Sequence, residues 1–259
     1  MKLILHGFPL VLCAALAVPA EAAQCTARSG PQTAALVELY TSEGCDSCPP
    51  ADRWLSSLEA RGYGGTQVVP IALHVDYWDY LGWKDPYAKA QFSARQRKLA
   101  QVQRARIVYT PQVMLQGKDF RAWHGPQFEQ AVARINASPA AARLSLKLDP
   151  GGTGSFSLAV EAALASPAGA GDAGLYLAAY ENKLVSQVAG GENRGKTLTH
   201  DYVVLEWIGP LKFGSDGRIA AERDVPLLPK AVRRHSGVVA FVQKLSSGEV
   251  LQALMLPAC

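Results

Sequence analysis

Cys45-Asp46-Ser47-Cys48 stands between an apolar run of strand character, residues 35–40, and a segment opened by Pro49-Pro50 in which Trp54, Leu55 and Leu58 recur at helical spacing. No other feature constrains the chain as tightly. A Cys-x-x-Cys placed where a strand turns into a helix is a redox motif: the free N–H groups and positive dipole end of the helix stabilise the first sulfur as a thiolate, below its ordinary pKa of about 8.5. Cys45 is then the nucleophile that attacks a partner's disulfide. Cys48, one turn on and less exposed, resolves the mixed disulfide. An inert structural disulfide is the plainer alternative. Zinc is a poorer one, because a structural site wants four ligands and the sequence holds no second Cys-x-x-Cys or matching His pair. Asp46 sets negative charge beside the nascent thiolate and so argues against an extreme oxidant. Asp46 and Ser47 are also good residues simply to start a helix.

The cysteine count is odd: Cys13, Cys25, Cys45, Cys48 and Cys259. Met1-Lys2, an apolar stretch over residues 3–18 and the small residues up to Ala23 have the form of a secretory signal peptide over residues 1–23. The run is too short, and too interrupted by His6, Gly7 and Pro9, for a spanning anchor of about 20 residues. Cleavage after Ala20, Ala22 or Ala23 removes Cys13 and leaves an even set for an oxidising compartment, periplasmic or extracellular. Cys25 and Cys259 lie near opposite ends of the mature chain, and a disulfide between them is the economical pairing. The net charge of +4 is spread along the chain, so nothing marks a nucleic-acid or anionic-membrane surface.

A chain of 259 residues favours two domains, since single cores cluster near about 100–150 residues. Over residues 24–139, short apolar runs (35–40, 68–75, 113–115) alternate with helical patterns (from Pro49, 86–106, 126–136), as an α/β unit requires. Basic residues Arg95, Arg97, Lys98, Arg104 and Arg106 fall on what reads as the solvated face of the second helix. Residues 140–259 alternate at period two, with strands expected at 144–148, 155–160, 175–179, 199–206, 238–244 and 249–256. That pattern predicts a mainly antiparallel, sandwich-like β domain.

Thr110-Pro111 opens the strand after the second helix. A cis proline there, beside the cysteines, would expose the Thr110 backbone to an extended substrate. With the strand, Cys-x-x-Cys, helix order, residues 35–136 resemble a thioredoxin-like fold. The stretches Glu38-Leu39-Tyr40-Thr41-Ser42-Glu43-Gly44-Cys45-Asp46-Ser47-Cys48-Pro49-Pro50-Ala51-Asp52, His74 to Pro86, Val108 to Gln112 and Glu192-Asn193-Arg194-Gly195-Lys196-Thr197-Leu198-Thr199-His200 resemble, more closely, the secreted bacterial family catalogued as domain of unknown function 1223. The resemblance implies a thioredoxin-like domain with a β domain appended. It brings no substrate.

Other residues acquire candidate roles from this frame. If Glu38 points beneath the cysteines, its carboxylate would relay a proton to Cys48, as the analogous acid does in thioredoxins; a one-residue change of register turns it to the other face. Tyr77, Trp78, Tyr80 and Trp83 follow the second strand, and such amphipathic rings suit partner recognition or cover of the fold's own core. His74 is either a packed strand residue or the third ligand of a Cys45, Cys48, His74 copper site, a reading little supported by the sparse methionines Met114 and Met255. Glu192 to Gly195, with His200 and Asp201, is a polar loop able to meet the first domain or a partner. The expectation is an exported thiol–disulfide oxidoreductase without cofactor, acting on a protein or small-molecule thiol or disulfide. A copper-handling or partner-binding module without redox turnover is the alternative.

Overall fold

The computed structural model describes residues 25–150, 154–228 and 231–259. The expected signal peptide, with Cys13, lies outside them. In chain order the elements are β1 (Cys25–Arg28), β2 (Ala35–Thr41), α1 (Pro49–Ser56), β3 (Val68–His74), α2 (Ala90–Val102), β4 (Gln112–Leu115), β5 (Lys118–Asp119), α3 (Pro126–Asn136), β6 (Ala142–Pro150), β7 (Ser155–Leu164), β8 (Ala173–Glu181), β9 (Leu184–Gln187), β10 (Thr197–His200), β11 (Val203–Lys212), β12 (Arg218–Pro226), β13 (Ser236–Lys244) and β14 (Val250–Pro257). No helix among the described residues is long and apolar enough to cross a membrane.

The strands form an eight-stranded sheet ordered β14-β13-β8-β11-β3-β2-β4-β5, a four-stranded sheet ordered β1-β6-β7-β12, and the separate hairpin β9–β10. The large sheet is mixed. β2 and β3 run parallel from Ala35 opposite Val68 to Thr41 opposite His74, whereas β4 is antiparallel to β2. β11 joins β3 only where Val203 meets Ala72, and the Ala72 N–H donates to the Tyr202 carbonyl at 2.8 Å. Pro70 has no N–H to give, and it fits within β3 because β11 has not yet joined at that point.

This continuity overturns the expected fold class. The chain is not an α/β thioredoxin-like domain followed by an antiparallel β domain. Among the described residues three α-helices accompany fourteen strands, and strands from both halves of the chain share one sheet. The reason lies in β8 and β13, nearly every residue of which is buried. Leu175, Leu177, Val238, Ala240 and Val242 face the four-stranded sheet, meeting Leu144, Leu146, Leu158 and Val160. Tyr176, Tyr180, Val239 and Phe241 face the core that β2, β3 and the helices also fill. Strands buried on both faces serve two cores at once, so neither half closes without the other.

α1 starts cleanly because prolines at its first positions forgo N–H groups that would lack partners. Its Trp54 ring packs at 5.1 Å from Trp123 and 5.0 Å from Phe128 of α3, fixing both helices on one side of the sheet. α2 lies differently from its predicted orientation. Arg97, Lys98, Arg104 and Arg106 are exposed, but the Arg95 side chain is buried and reaches into the sheet. Its Nε donates to Glu38 Oε2 at 2.6 Å and its Nη2 to Glu38 Oε1 at 2.9 Å. The guanidinium carbon lies 5.0 Å from the Tyr176 ring, 4.8 Å from Trp207 and 5.1 Å from Phe241.

Removing one partner of such a buried pair strands the other charge and costs about 3–5 kcal/mol, whereas an apolar replacement of both is close to neutral. Glu38→Ala is therefore expected to lower stability by roughly that amount. Combining Glu38→Leu with Arg95→Met should recover most of it. Urea unfolding of the wild type and these two variants checks this, and a Glu38→Ala cost under about 1 kcal/mol would contradict it.

Candidate active site at the Cys45–Cys48 disulfide

β2 ends at Thr41 and the chain turns through Ser42 to Ser47 into α1. Ser42 closes the turn twice: its hydroxyl accepts from the Gly44 N–H at 3.1 Å and its carbonyl from the Cys45 N–H at 3.2 Å. Cys48, rather than Asp46 or Ser47, caps the helix; its carbonyl accepts from the N–H groups of Ala51 at 2.9 Å and Asp52 at 3.1 Å. Cys45 and Cys48 are joined by a disulfide, with Cα atoms 5.5 Å apart. The Ser47 hydroxyl lies 3.3 Å from Cys45 Sγ. Both cysteines have 0% exposure, while Asp46 and Ser47 between them are exposed. The expected asymmetry, Cys45 open and Cys48 sheltered, is absent.

Glu38 is turned away from this loop. It shares a strand face with Tyr40, whose hydroxyl donates to Glu38 Oε2 at 3.1 Å, and that face meets Arg95 of α2. The buried carboxyl on α1 itself is Asp52, one turn past Cys48. Burial pushes Asp52 up from the ordinary carboxylate value, against the pull of His200 and His74.

Around Asp52 lies a polar cluster that sequence spacing did not reveal. His74 Nδ1 and Asp85 Oδ2 are 2.7 Å apart, and the same Asp85 oxygen accepts from the Glu43 N–H at 2.9 Å. Glu43 is the hub. Its Oε1 lies 3.1 Å from His200 Nε2, and its Oε2 accepts from Trp83 Nε1 at 2.7 Å. The two imidazole rings meet edge to face at 4.9 Å. His74 is thus bound to Asp85 by one nitrogen, and both candidate sulfur ligands are consumed by the disulfide. Among the described residues no group of three or more His, Cys, Asp or Glu is disposed to hold a metal ion.

The aromatic segment and Thr110-Pro111 are brought to the same place. The peptide between Thr110 and Pro111 is cis. Trp78 Nε1 donates to Thr110 Oγ1 at 2.7 Å, and Gly44 packs so closely on Trp78 that a Cβ there would lie 3.1 Å from the Trp78 Cβ. Tyr77 donates to Gln96 Oε1 at 3.2 Å, and Gln96 in turn donates to the Tyr109 carbonyl at 2.8 Å. Tyr77 and Trp78 are half-buried against the core, so they cover the fold as well as border the loop. Tyr80, by contrast, is 79% exposed. Far from this site, Cys25 and Cys259 form a second disulfide.

Fold and site define a mainly β protein with a helix-borne Cys-x-x-Cys disulfide, enclosed by segments from both halves of the chain. The chain belongs to the family described as Protein of unknown function (DUF1223), whose model matches residues 36–243. No protein with a curated description matches it. Among solved structures, Protein AGR_C_4864 from Agrobacterium tumefaciens has a similar fold, with a TM-score of 0.63 and 21% identity over 88% of this chain and 96% of that one. HBP35 of Porphyromonas gingivalis is similar with a TM-score of 0.67 and 15% identity, over 88% of this chain and 76% of that one.

The cluster makes stability depend on pH. Burial pulls the His74 pKa down, but Asp85, with Asp52 and Glu43, more than offsets this and holds it above 6.5. Its contribution is complete below that value and fades as pH rises through the folded value. Burial pushes Asp85 up, and the charge and hydrogen bond of His74, with the Glu43 and Tyr87 N–H groups, bring it below 3.8. Its contribution is complete above 3.8 and is lost as pH falls through the lower folded value. The stability gap between the wild type and Asp85→Asn is accordingly expected to be widest between these two values and to narrow above neutrality. Denaturant midpoints measured across pH test this; a gap that widens steadily above neutral pH would contradict it.

Proposed function

We propose that this chain is an exported thiol–disulfide oxidoreductase that works through Cys45 and Cys48. The observation that carries the proposal is the disulfide between these residues at the N-terminal end of α1, with the Ser47 hydroxyl against Cys45 Sγ. In the reduced protein that hydroxyl and the helix end stabilise a Cys45 thiolate. The thiolate attacks one sulfur of a partner disulfide, forming a mixed disulfide and expelling the other partner sulfur as a thiolate that takes up a proton. Cys48 then loses its proton and attacks Cys45 Sγ, so the Cys45–Cys48 bond forms as the mixed disulfide breaks. Two electrons pass from the dithiol to the partner, and the reverse sequence oxidises a partner dithiol. Asp52, whose carboxyl burial pushes up, is a suitable acceptor for the Cys48 proton.

Thr110-Pro111 borders the loop through Trp78, and exposed Tyr80 supplies a ring for partner recognition. Two disulfides in one chain suit an oxidising compartment, which supports export to the periplasm or beyond. The complete burial of both sulfurs favours a second reading, a structural disulfide in a binding protein.

Insulin-disulfide reduction, with a Cys48→Ser variant to trap mixed disulfides on Cys45, separates the two. Turnover that disappears in Cys45→Ser, and covalent partners retained on Cys48→Ser, are expected. No turnover, no trapped partner and a reduction potential below about −300 mV would assign the bond to structure.

A further inference from the structure

The hairpin β9–β10 and the turn between its strands form an arm unlike the rest of the fold. It leaves the large sheet after β8 and rejoins it at β11, and its two strands pair only with each other. A two-stranded hairpin has little stability of its own, so its position is set by what it touches. At its tip it touches the cysteine loop, and along its stem α1 and the segment after β3. Asn193, fully buried at the tip, donates through Nδ2 to the Glu43 carbonyl at 2.9 Å and the Cys45 carbonyl at 2.7 Å. The Glu192 N–H donates to the Gly44 carbonyl at 3.2 Å, and Glu192 Oε2 accepts from the Asp46 N–H at 3.0 Å.

Glycine makes this approach feasible. A Cβ at Gly190 would fall 2.4 Å from the Gly82 oxygen, and Gly191, at φ 67°, presses on the Gly44 Cα. On the stem, His200 meets Glu43, and the Ser186 and Tyr87 hydroxyls lie 3.4 Å apart.

Thiol–disulfide exchange requires a thiolate to approach one sulfur along the S–S axis. Neither cysteine has exposed surface in this arrangement. Something must move before any exchange occurs. The aromatic segment is tied to the body by Tyr77 to Gln96 and Trp78 to Thr110. The arm, by contrast, belongs to no larger sheet. We infer that the β9–β10 arm is a lid over Cys45–Cys48, latched by Asn193 and Glu192, and that the disulfide reacts only from a minor state in which the tip has lifted. The purpose of the lid rests on the oxidoreductase reading, since it would keep the pair inert until a partner displaces the tip. Its closure does not rest on that reading, because any small reductant meets the same barrier.

The rate of reduction then scales with the fraction of open molecules. Removing the two Asn193 side-chain hydrogen bonds, each worth roughly 0.5–1.5 kcal/mol, raises that fraction by about fivefold to over a hundredfold. Reduction of the full chain by dithiothreitol, followed by alkylation and mass spectrometry, reads Cys45–Cys48 and Cys25–Cys259 separately in the same sample. Asn193→Ala is expected to accelerate the first by about fivefold or more and leave the second unchanged. Equal rates in variant and wild type would overturn the lid.

If Asn193→Ala accelerates both disulfides, the variant has lost its fold and the wild type decides. Asp46 and Glu192 amide hydrogens exchanging well before those of β2 support a lifting tip, and exchange in step with β2 overturns it. Absence of insulin turnover in a variant with fast Cys45–Cys48 reduction would sink the oxidoreductase reading and leave the lid standing. Wild-type turnover unaltered by Asn193→Ala, with unaltered reduction, would sink the lid alone.

Discussion

The Glu38–Arg95 pair, set within the rings of Tyr176, Trp207 and Phe241, is the interaction on which the rest of the architecture turns. Glu38 stands on β2, Arg95 on α2, and the three rings on β8, β11 and β13. One guanidinium therefore touches elements from both halves of the chain. Burying a charge is tolerable only when it is paired and its remaining donors are satisfied. Glu38 takes two of those donors, and the Gln243 side-chain oxygen lies 3.2 Å from both Nη1 and Nη2. The rings give the cation the faces it prefers. Misplacing β8 or β13 would empty that cage, so the pair imposes a particular docking of the C-terminal strands on β2 and β3.

A covalent counterpart acts on the other core. Cys25 begins β1 in the four-stranded sheet, and Cys259 follows β14, the edge strand of the eight-stranded sheet. Their bond ties the two layers together beside Leu148, Leu254 and Leu256. The chain thus has one fastening for each core: a buried ion pair where the helices pack, and a disulfide where two sheets face each other. The two cysteine pairs do different physical work, since the terminal pair joins layers distant in sequence and the Cys45–Cys48 pair closes one short turn.

Much of the local structure was legible. α3 runs from Pro126 to Asn136 as its spacing and leading proline indicate, and β6 and β7 form the alternating hairpin expected over 144–160. Long-range order was not legible. An arginine at helical spacing among four other basic residues reads as solvated, and only the tertiary cage shows that Arg95 is the exception. The strand expected over 199–206 breaks at Asp201-Tyr202, where Tyr202 adopts a φ of 58° and the chain passes from the arm to the large sheet. β8 and β13 carry apolar residues on both faces, so alternation could not say that they divide two cores. At the site the cysteines announced themselves, and the polar loop at 192–195 with His200 reads as able to meet the first domain, as it does; that it grips the cysteine turn, some 150 residues away, shows only in the fold. The role of Glu43, beside Gly44, shows only through its four partners, Asp85, His200, Trp83 and Asn193.

That hub bears on why the interior beside the cysteines carries so many titratable groups. Glu43, Asp52, His74, Asp85 and His200 are all buried, and several of their atoms make no hydrogen bond, among them Asp52 Oδ1, His74 Nε2 and His200 Nδ1, the last lying 3.8 Å from Asp52 Oδ2. Stability alone gives no reason for this, because apolar side chains of similar volume would pack there at lower cost. Geometry does. Glu43 immediately precedes the Gly44-Cys45 turn, and its backbone and carboxylate together fix that turn to the segment after β3, through Asp85 and Trp83, and to the arm, through Asn193 and His200. A hydrophobic residue at position 43 would fill the space without fixing direction. Hydrogen bonds at both ends of Glu43 settle where the cysteine loop sits and which later segment lies upon it, so the placement of a motif four residues long is fixed from the far half of the chain.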